Sequence, residues 1–260
     1  MLVYGKVRKE RDQEERNLDP DTARMFWETL FGSDEPPVSE EVEGDERITM
    51  NEVENAVKFT ANWKAAGPDN VQGYWWKYLE ATHQALAQVF DRWMRGEERI
   101  PTEMIKGRTV LLFKKGDEED PRNYRPITCL NIVMKVFTSI IKVKIEREMA
   151  RQPEEKRLTA NQYGTRKRVF SAKQAVNIAA AQKKVLEKRK TKYLEAYYDV
   201  SKAYDSVNHA RLIEKLEECG VSKQIRGVIG QILNNTQVEM KVGKKEVGRI
   251  PIRRGVIQGD

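Results

Sequence analysis

Tyr193-Leu194-Glu195-Ala196-Tyr197-Tyr198-Asp199-Val200, followed by Ser201-Lys202-Ala203-Tyr204-Asp205-Ser206-Val207, joins a tyrosine-rich apolar run to a polar turn across a single acid. Its first part is short, apolar and rich in tyrosine, which predicts a buried strand, and the next segment has the caps and spacing of a helix. Asp199 then falls at a strand-to-turn junction that displays its carboxylate, with the ring of Tyr204 five residues on. Spacing alone also fits a solvated turn acid, so other segments have to decide.

Four of them do, and their order is informative. Gly67-Pro68-Asp69-Asn70-Val71-Gln72-Gly73-Tyr74-Trp75 comes first, then Arg122-Asn123-Tyr124-Arg125-Pro126-Ile127, then Asn161-Gln162-Tyr163-Gly164. Arg253-Arg254-Gly255-Val256-Ile257-Gln258-Gly259-Asp260 closes the sequence. With the Asp199 stretch, these segments resemble the successive motifs of reverse transcriptases, specifically those of non-LTR (LINE-like) retrotransposons, over roughly residues 62–260.

That resemblance implies an α+β, helix-rich fold: right-hand polymerase fingers and the first part of a ferredoxin-like palm, with no thumb. It divides the chain into an acidic N-terminal extension and linker (1–47), a fingers-like region (48–190) and the N-terminal part of a palm (191–260). Asp199 is implied as the catalytic carboxylate and a metal ligand, with the Val200 backbone carbonyl as a second oxygen on the cation; magnesium favours such hard oxygens. Two Mg2+ ions would activate the attacking hydroxyl and stabilise the departing pyrophosphate. Tyr204 is implied to lie under the incoming sugar and exclude a 2′-hydroxyl, which favours DNA synthesis. Lys114 and Arg125 are implied to contact the triphosphate, an Arg fork gripping two oxygens and a Lys supplying a compact charge. Strand alternation lets only one of Lys114 and Lys115 face inward, and the sequence leaves that choice open. Gln258, before Gly259, is implied to lie against the nucleotide and templating base. The implied partners are an RNA template, a DNA primer and deoxynucleoside triphosphates, and the implied location is nuclear for a retrotransposon product.

The family also completes its metal site with adjacent acids in a Tyr/Phe-x-Asp-Asp hairpin, and no Asp-Asp pair occurs here. The expectation is therefore a fragment of a longer polymerase or a truncated copy, inactive alone. A catalytically dead RNA-binding module that keeps a basic platform is the other reading.

Composition agrees with a nucleic-acid partner. The formal net charge is +7, but residues 1–50 carry 7 basic and 14 acidic side chains, whereas the rest carry 40 and 26. The larger part thus has the balance of a surface that neutralises phosphates, although a solvated basic domain has it too. No apolar stretch approaches the roughly 18 residues of a membrane helix, and the first residues lack the apolar core of a secretion signal. An intracellular protein without a membrane partner is expected. Cys129 and Cys219 are too few for a disulfide framework or a Cys-rich zinc site.

Local patterns predict the remaining elements. A helix is expected over 19–32, with Pro20 in its first turn, Met25, Phe26, Leu30 and Phe31 as its apolar residues and Gly32 as its stop. The acidic, proline-containing segment to Arg47 should be extended and mobile. Thr49 and Glu52 form a capping box ahead of Val53, Ala56 and Val57. Leu86, Val89, Phe90, Trp93 and Met94 make a helical stripe, and Trp75 and Trp76 should pack beside it. Residues 109–113 read as a strand entering a basic-tipped loop. A helix after Pro126 carries Leu130, Val133, Met134, Phe137, Ile140 and Ile141 on one side, with Lys135, Lys142 and Lys144 elsewhere around it. It should pack beneath the basic strands. Residues 151–157 read as a charged loop. Ser171 and Gln174 can cap another helix, and Asn208 or Ser206 the one that buries Leu212 and Leu216 and stops at Gly220. Residues 237–242 and 246–254 around Gly243 read as a hairpin.

Overall fold

Alternating burial builds the sheet that organises one end of the molecule. The computed structural model describes residues 17–153, 162, 172–192 and 194–257. Strand β1 (Gly107–Phe113) pairs antiparallel with β2 (Tyr124–Leu130) and parallel with β3 (Gln237–Val242), which pairs antiparallel with β4 (Lys245–Pro251). The order is β2-β1-β3-β4, so β1 and β3 join parts of the chain on either side of residue 190. Val238, Met240 and Val242 point to one face, as a period of two requires, and meet Leu111, Tyr124, Val247 and Ile250.

Helix α1 (Pro20–Phe31) covers that face. Asp19 caps it by accepting from the Thr22 N–H at 2.8 Å, and Pro20 occupies the first turn, where its missing N–H costs nothing. Its buried side chains are Ala23, Trp27 and Phe31, spaced by four, whereas Met25 is exposed.

A second core is helical. Helices α2 (Met50–Lys58), α3 (Gly73–Tyr78), α4 (His83–Met94) and α5 (Thr102–Ile105) gather around α6 (Ile132–Arg151). The capping box at Thr49 and Glu52 is present. Phe90, Trp93 and Phe137 form an aromatic triangle with ring centroids 5.1–5.4 Å apart. Trp76 packs against this core, but Trp75 is half-exposed and meets Tyr74 edge-on; neighbours in a six-residue helix point about 100° apart, so both cannot be inside. Helix α6 packs chiefly on α2 rather than beneath the basic strands as expected, and Lys144, off its apolar side, is buried. The Lys144 Nζ donates to the Arg47 carbonyl at 2.7 Å and pairs with Glu46 at 3.0 Å and Glu52 at 2.9 Å.

Helix α7 (Ala172–Lys188) is largely exposed, and its predicted cap Ser171 lies outside the described residues, as does most of the charged loop expected over 151–157. Asn208 caps α8 (His209–Glu218), whose Leu212 and Leu216 are half-buried. Helix α9 (Lys223–Asn235) joins the helical core through Ile225 and Val228.

The acidic segment after α1 is extended, as expected, but it is seated rather than loose. The Val38 N–H donates to Asn234 at 3.2 Å, Asn234 donates back to the Val38 carbonyl at 2.8 Å, and the Glu46 N–H donates to Gln224 at 2.8 Å. A Cβ on Gly227 or Gly230 would lie 2.0 Å from the carbonyl oxygen of Glu41 or Ser39, so these glycines let the segment lie directly on α9. Among the described residues no helix is long and apolar enough to cross a membrane.

Candidate functional site

The turn that follows Asp199 is held by the last described segment of the chain. Residues 201–206 form consecutive turns closed by the Ser206 N–H donating to the Lys202 carbonyl at 3.0 Å, with Lys202 itself left-handed at φ +51°. The Val256 N–H donates to the Tyr204 carbonyl at 2.8 Å and the Gly255 N–H to the Val207 carbonyl at 2.7 Å. The His209 Nε2 donates to the Gly255 carbonyl at 2.8 Å. Gly255 sits at φ +89°, and a Cβ there would fall 2.7 Å from the Asp205 carbonyl oxygen; both conformation and space call for glycine. Tyr204 and the backbone two residues before Gln258 are thereby brought together, although Gln258 itself lies outside the described residues.

On the other side, β1 and β2 present their cations. The Lys114 N–H donates to the Asn123 carbonyl at 2.9 Å, which continues the ladder beyond Phe113. Arg125 stands opposite Leu112 with an exposed side chain, on the face away from Leu111 and Tyr124. Among the described residues neither the Lys114 ammonium nor the Arg125 guanidinium has an acidic partner within ion-pair distance, so both are available to an anionic ligand.

Lys202 of the turn is seated on α1. Its Nζ lies 4.5 Å from the Trp27 ring centroid and 5.0 Å from that of Phe26, cation–π distances on the aromatic pair of α1. Burial pushes its ammonium below the ordinary lysine pKa; Asp205 opposes that shift, Lys114 adds to it by like-charge repulsion, and Asp120 opposes it. The sequence reading missed Lys202, Trp27 and Asp205. Their signals were a cation placed between the acid and the ring, and adjacent aromatics at Phe26 and Trp27.

The strand expected to carry Asp199 does not form. Residues 194–200 have no regular structure, and Leu194, Tyr197, Tyr198 and Val200 are exposed. A buried strand needs a neighbour for its backbone and a layer over its side chains, and no described strand pairs with this segment. Asp199 is itself exposed and makes no side-chain hydrogen bond among the described residues. Its carboxylate and the Val200 carbonyl are accessible hard oxygens suited to a divalent cation, but no group of three or more His, Cys, Asp or Glu side chains among the described residues could complete a metal site. Asn161, Tyr163 and Gly164 lie outside the described residues.

Residues 113–260 match the family described as Reverse transcriptase (RNA-dependent DNA polymerase). The chain belongs to that family. It is 30% identical over 214 residues to the Retrovirus-related Pol polyprotein from type-1 retrotransposable element R2 of Popillia japonica, covering 82% of this chain and 28% of that protein. The R2 Pol polyprotein of Nasonia vitripennis is 26% identical over 75% of the chain and 18% of its own length. The Transposon TX1 uncharacterized 149 kDa protein of Xenopus laevis is 25% identical over 92% of the chain and 19% of its length. The chain therefore spans less than a third of each of these relatives.

Proposed function

We propose that this chain is the nucleotide-binding portion of an RNA-directed DNA polymerase from a non-LTR retrotransposon. It would contribute fingers and the first part of a palm to template-directed nucleotidyl transfer on an RNA template and a DNA primer. The observation that carries the reading is the tie at the turn: the Val256 N–H donates to the Tyr204 carbonyl at 2.8 Å, which brings the ring expected under the sugar next to the segment leading to Gln258.

Each residue then has a chemical task. Asp199 and the Val200 carbonyl would hold Mg2+, which when bound would supply charge stabilisation for phosphoryl transfer once further acids complete the site. Lys114 and Arg125 grip the triphosphate and neutralise the charge that accumulates on the leaving group. Tyr204 closes the space that a 2′-hydroxyl would occupy, and Gln258 lies against the nucleotide and the templating base.

The test is primer extension on an RNA template with Mg2+, using the protein encoded by the whole reading frame that contains these residues. Asp199→Asn should lower the rate by at least roughly 10²-fold, the scale of losing a key electrostatic stabiliser. Unchanged extension would remove Asp199 from the mechanism. RNA binding without extension by the unaltered protein would favour the catalytically dead module.

A further inference from the structure

Helix α1 lies outside the segment that matches the polymerase family, yet it touches both the 201–206 turn and the segment that holds that turn. Its rings Phe26 and Trp27 seat the Lys202 ammonium at 5.0 and 4.5 Å. Its last carbonyl, that of Phe31, accepts from the N–H groups of both Arg253 and Arg254 at 2.9 Å, just before the Gly255 and Val256 contacts to the turn. Trp27 is fully buried, and its indole N–H has no acceptor among the described residues. What the indole offers here beyond volume is therefore its face, the best of the aromatic faces for a cation.

We infer that α1 is a bracket for the nucleotide site: Phe26 and Trp27 hold Lys202 as a positioning residue for the turn that carries Tyr204, while the Phe31 carbonyl fixes the segment leading to Gln258. Lys202 acts through the turn rather than on the triphosphate, because its ammonium is already seated over two rings. The left-handed backbone at Lys202 makes this anchoring consequential. A non-glycine residue pays for that conformation in steric crowding, so the turn relaxes when the side chain loses its seat. The catalytic consequence rests on the polymerase reading above; the bracket itself does not.

Two measurements separate them. In the 260-residue chain, amide hydrogen exchange of Ser206, Gly255 and Val256, whose N–H groups are bonded within or onto the turn, should quicken roughly two- to thirtyfold in Lys202→Met, the range that a cation–π contact supplies. Lys202→Arg, which can still stack on the rings, should restore protection. Phe26→Leu, at a half-buried position, should reproduce part of the effect without the unfolding risk of altering Trp27, and thermal melting of each variant confirms that the fold survives. Adding Phe26→Leu to Lys202→Met should change exchange little further. In primer extension by the protein of the whole reading frame, Lys202→Met should raise the KM for deoxynucleotides and weaken discrimination against ribonucleotides, since Tyr204 rides on the turn. Additive effects on exchange, or an Arg variant no better protected than Met, would overturn the bracket. An unaltered protein inert in extension would remove the polymerase reading, and the exchange series would then decide the bracket by itself.

Discussion

The ribbon that bears Arg125 and the stretch that bears Asp199 carry the two chemically opposite halves of one proposed site, and they are built very differently. Arg125 stands on a strand whose neighbours Tyr124 and Pro126 are buried, with α1 covering the inner face of the sheet. Asp199 follows two tyrosines that are 86% and 92% exposed. One half is held by tertiary packing within the described residues, whereas the other gains its order only downstream, where the 201–206 turn meets α1 and residues 255–256. Chemistry legible in residue types thus says nothing about which half already has a scaffold.

The largest test of this contrast is in stability. Phe137→Ala, in the aromatic triangle of the helical core, should cost about 3–5 kcal/mol in denaturant unfolding. Tyr198→Ala should stay within about 0.5 kcal/mol of the parent, because an exposed ring leaves no cavity. A large loss from Tyr198→Ala would mean that the stretch is packed after all. Next comes Asp199→Asn: with its predicted loss in primer extension, its melting temperature should match that of the unaltered chain, separating chemistry from folding.

Lys144→Met probes the packed side. It deprives Glu46 and Glu52 of their buried partner, and urea titration should register about 1–3 kcal/mol of destabilisation. The smallest effect is a pH dependence. The hydrogen bond from Arg47 holds the Asp91 carboxyl below its ordinary pKa; at Glu46, burial pushes upward but Lys144 and Arg147 outweigh it. Both folded pKa values are depressed, so the stability they contribute is present above the ordinary carboxylate range near pH 4 and disappears as pH falls through the folded values. Asp91→Asn should flatten the acid limb of a stability–pH curve, and an unaltered limb would discount this pair.

Much of the fold was legible where the signal is local. The Thr49 and Glu52 capping box, the stripe from Leu86 to Met94 and the hairpin about Gly243 each depend on residues a few positions apart, and each is present. Helix α9 was missed because Gly227 and Gly230 depress its apparent propensity; they are there for the backbone of residues 39–41, far away in sequence. Strand β2 was missed because the apolar run after Pro126 reads as the start of a helix: Leu130, expected on that helix, instead ends β2, and Pro126 is tolerated because β2 is an edge of the sheet. The tyrosine stretch failed in the opposite sense: its composition fits a strand, but pairing belongs to neighbours that composition does not contain. At the candidate site, the acid, the ring and the cations could be named from sequence, whereas the seat of Lys202 on α1 depends on contacts between residues 26–27 and 202, which no spacing rule reaches.

The parallel pairing of β1 with β3 has a consequence for biosynthesis. Gly107 finds its neighbour at Val238, so while a ribosome makes the chain one flank of β1 has no mate until that later strand emerges. At about 5–20 residues per second the wait is on the order of ten seconds, during which a nascent β-ribbon with an open side is exposed to pairing with other chains. Translation speed across residues 130–240 and chaperone access to that side should therefore govern how much protein reaches its native form, independently of how stable that form is once made.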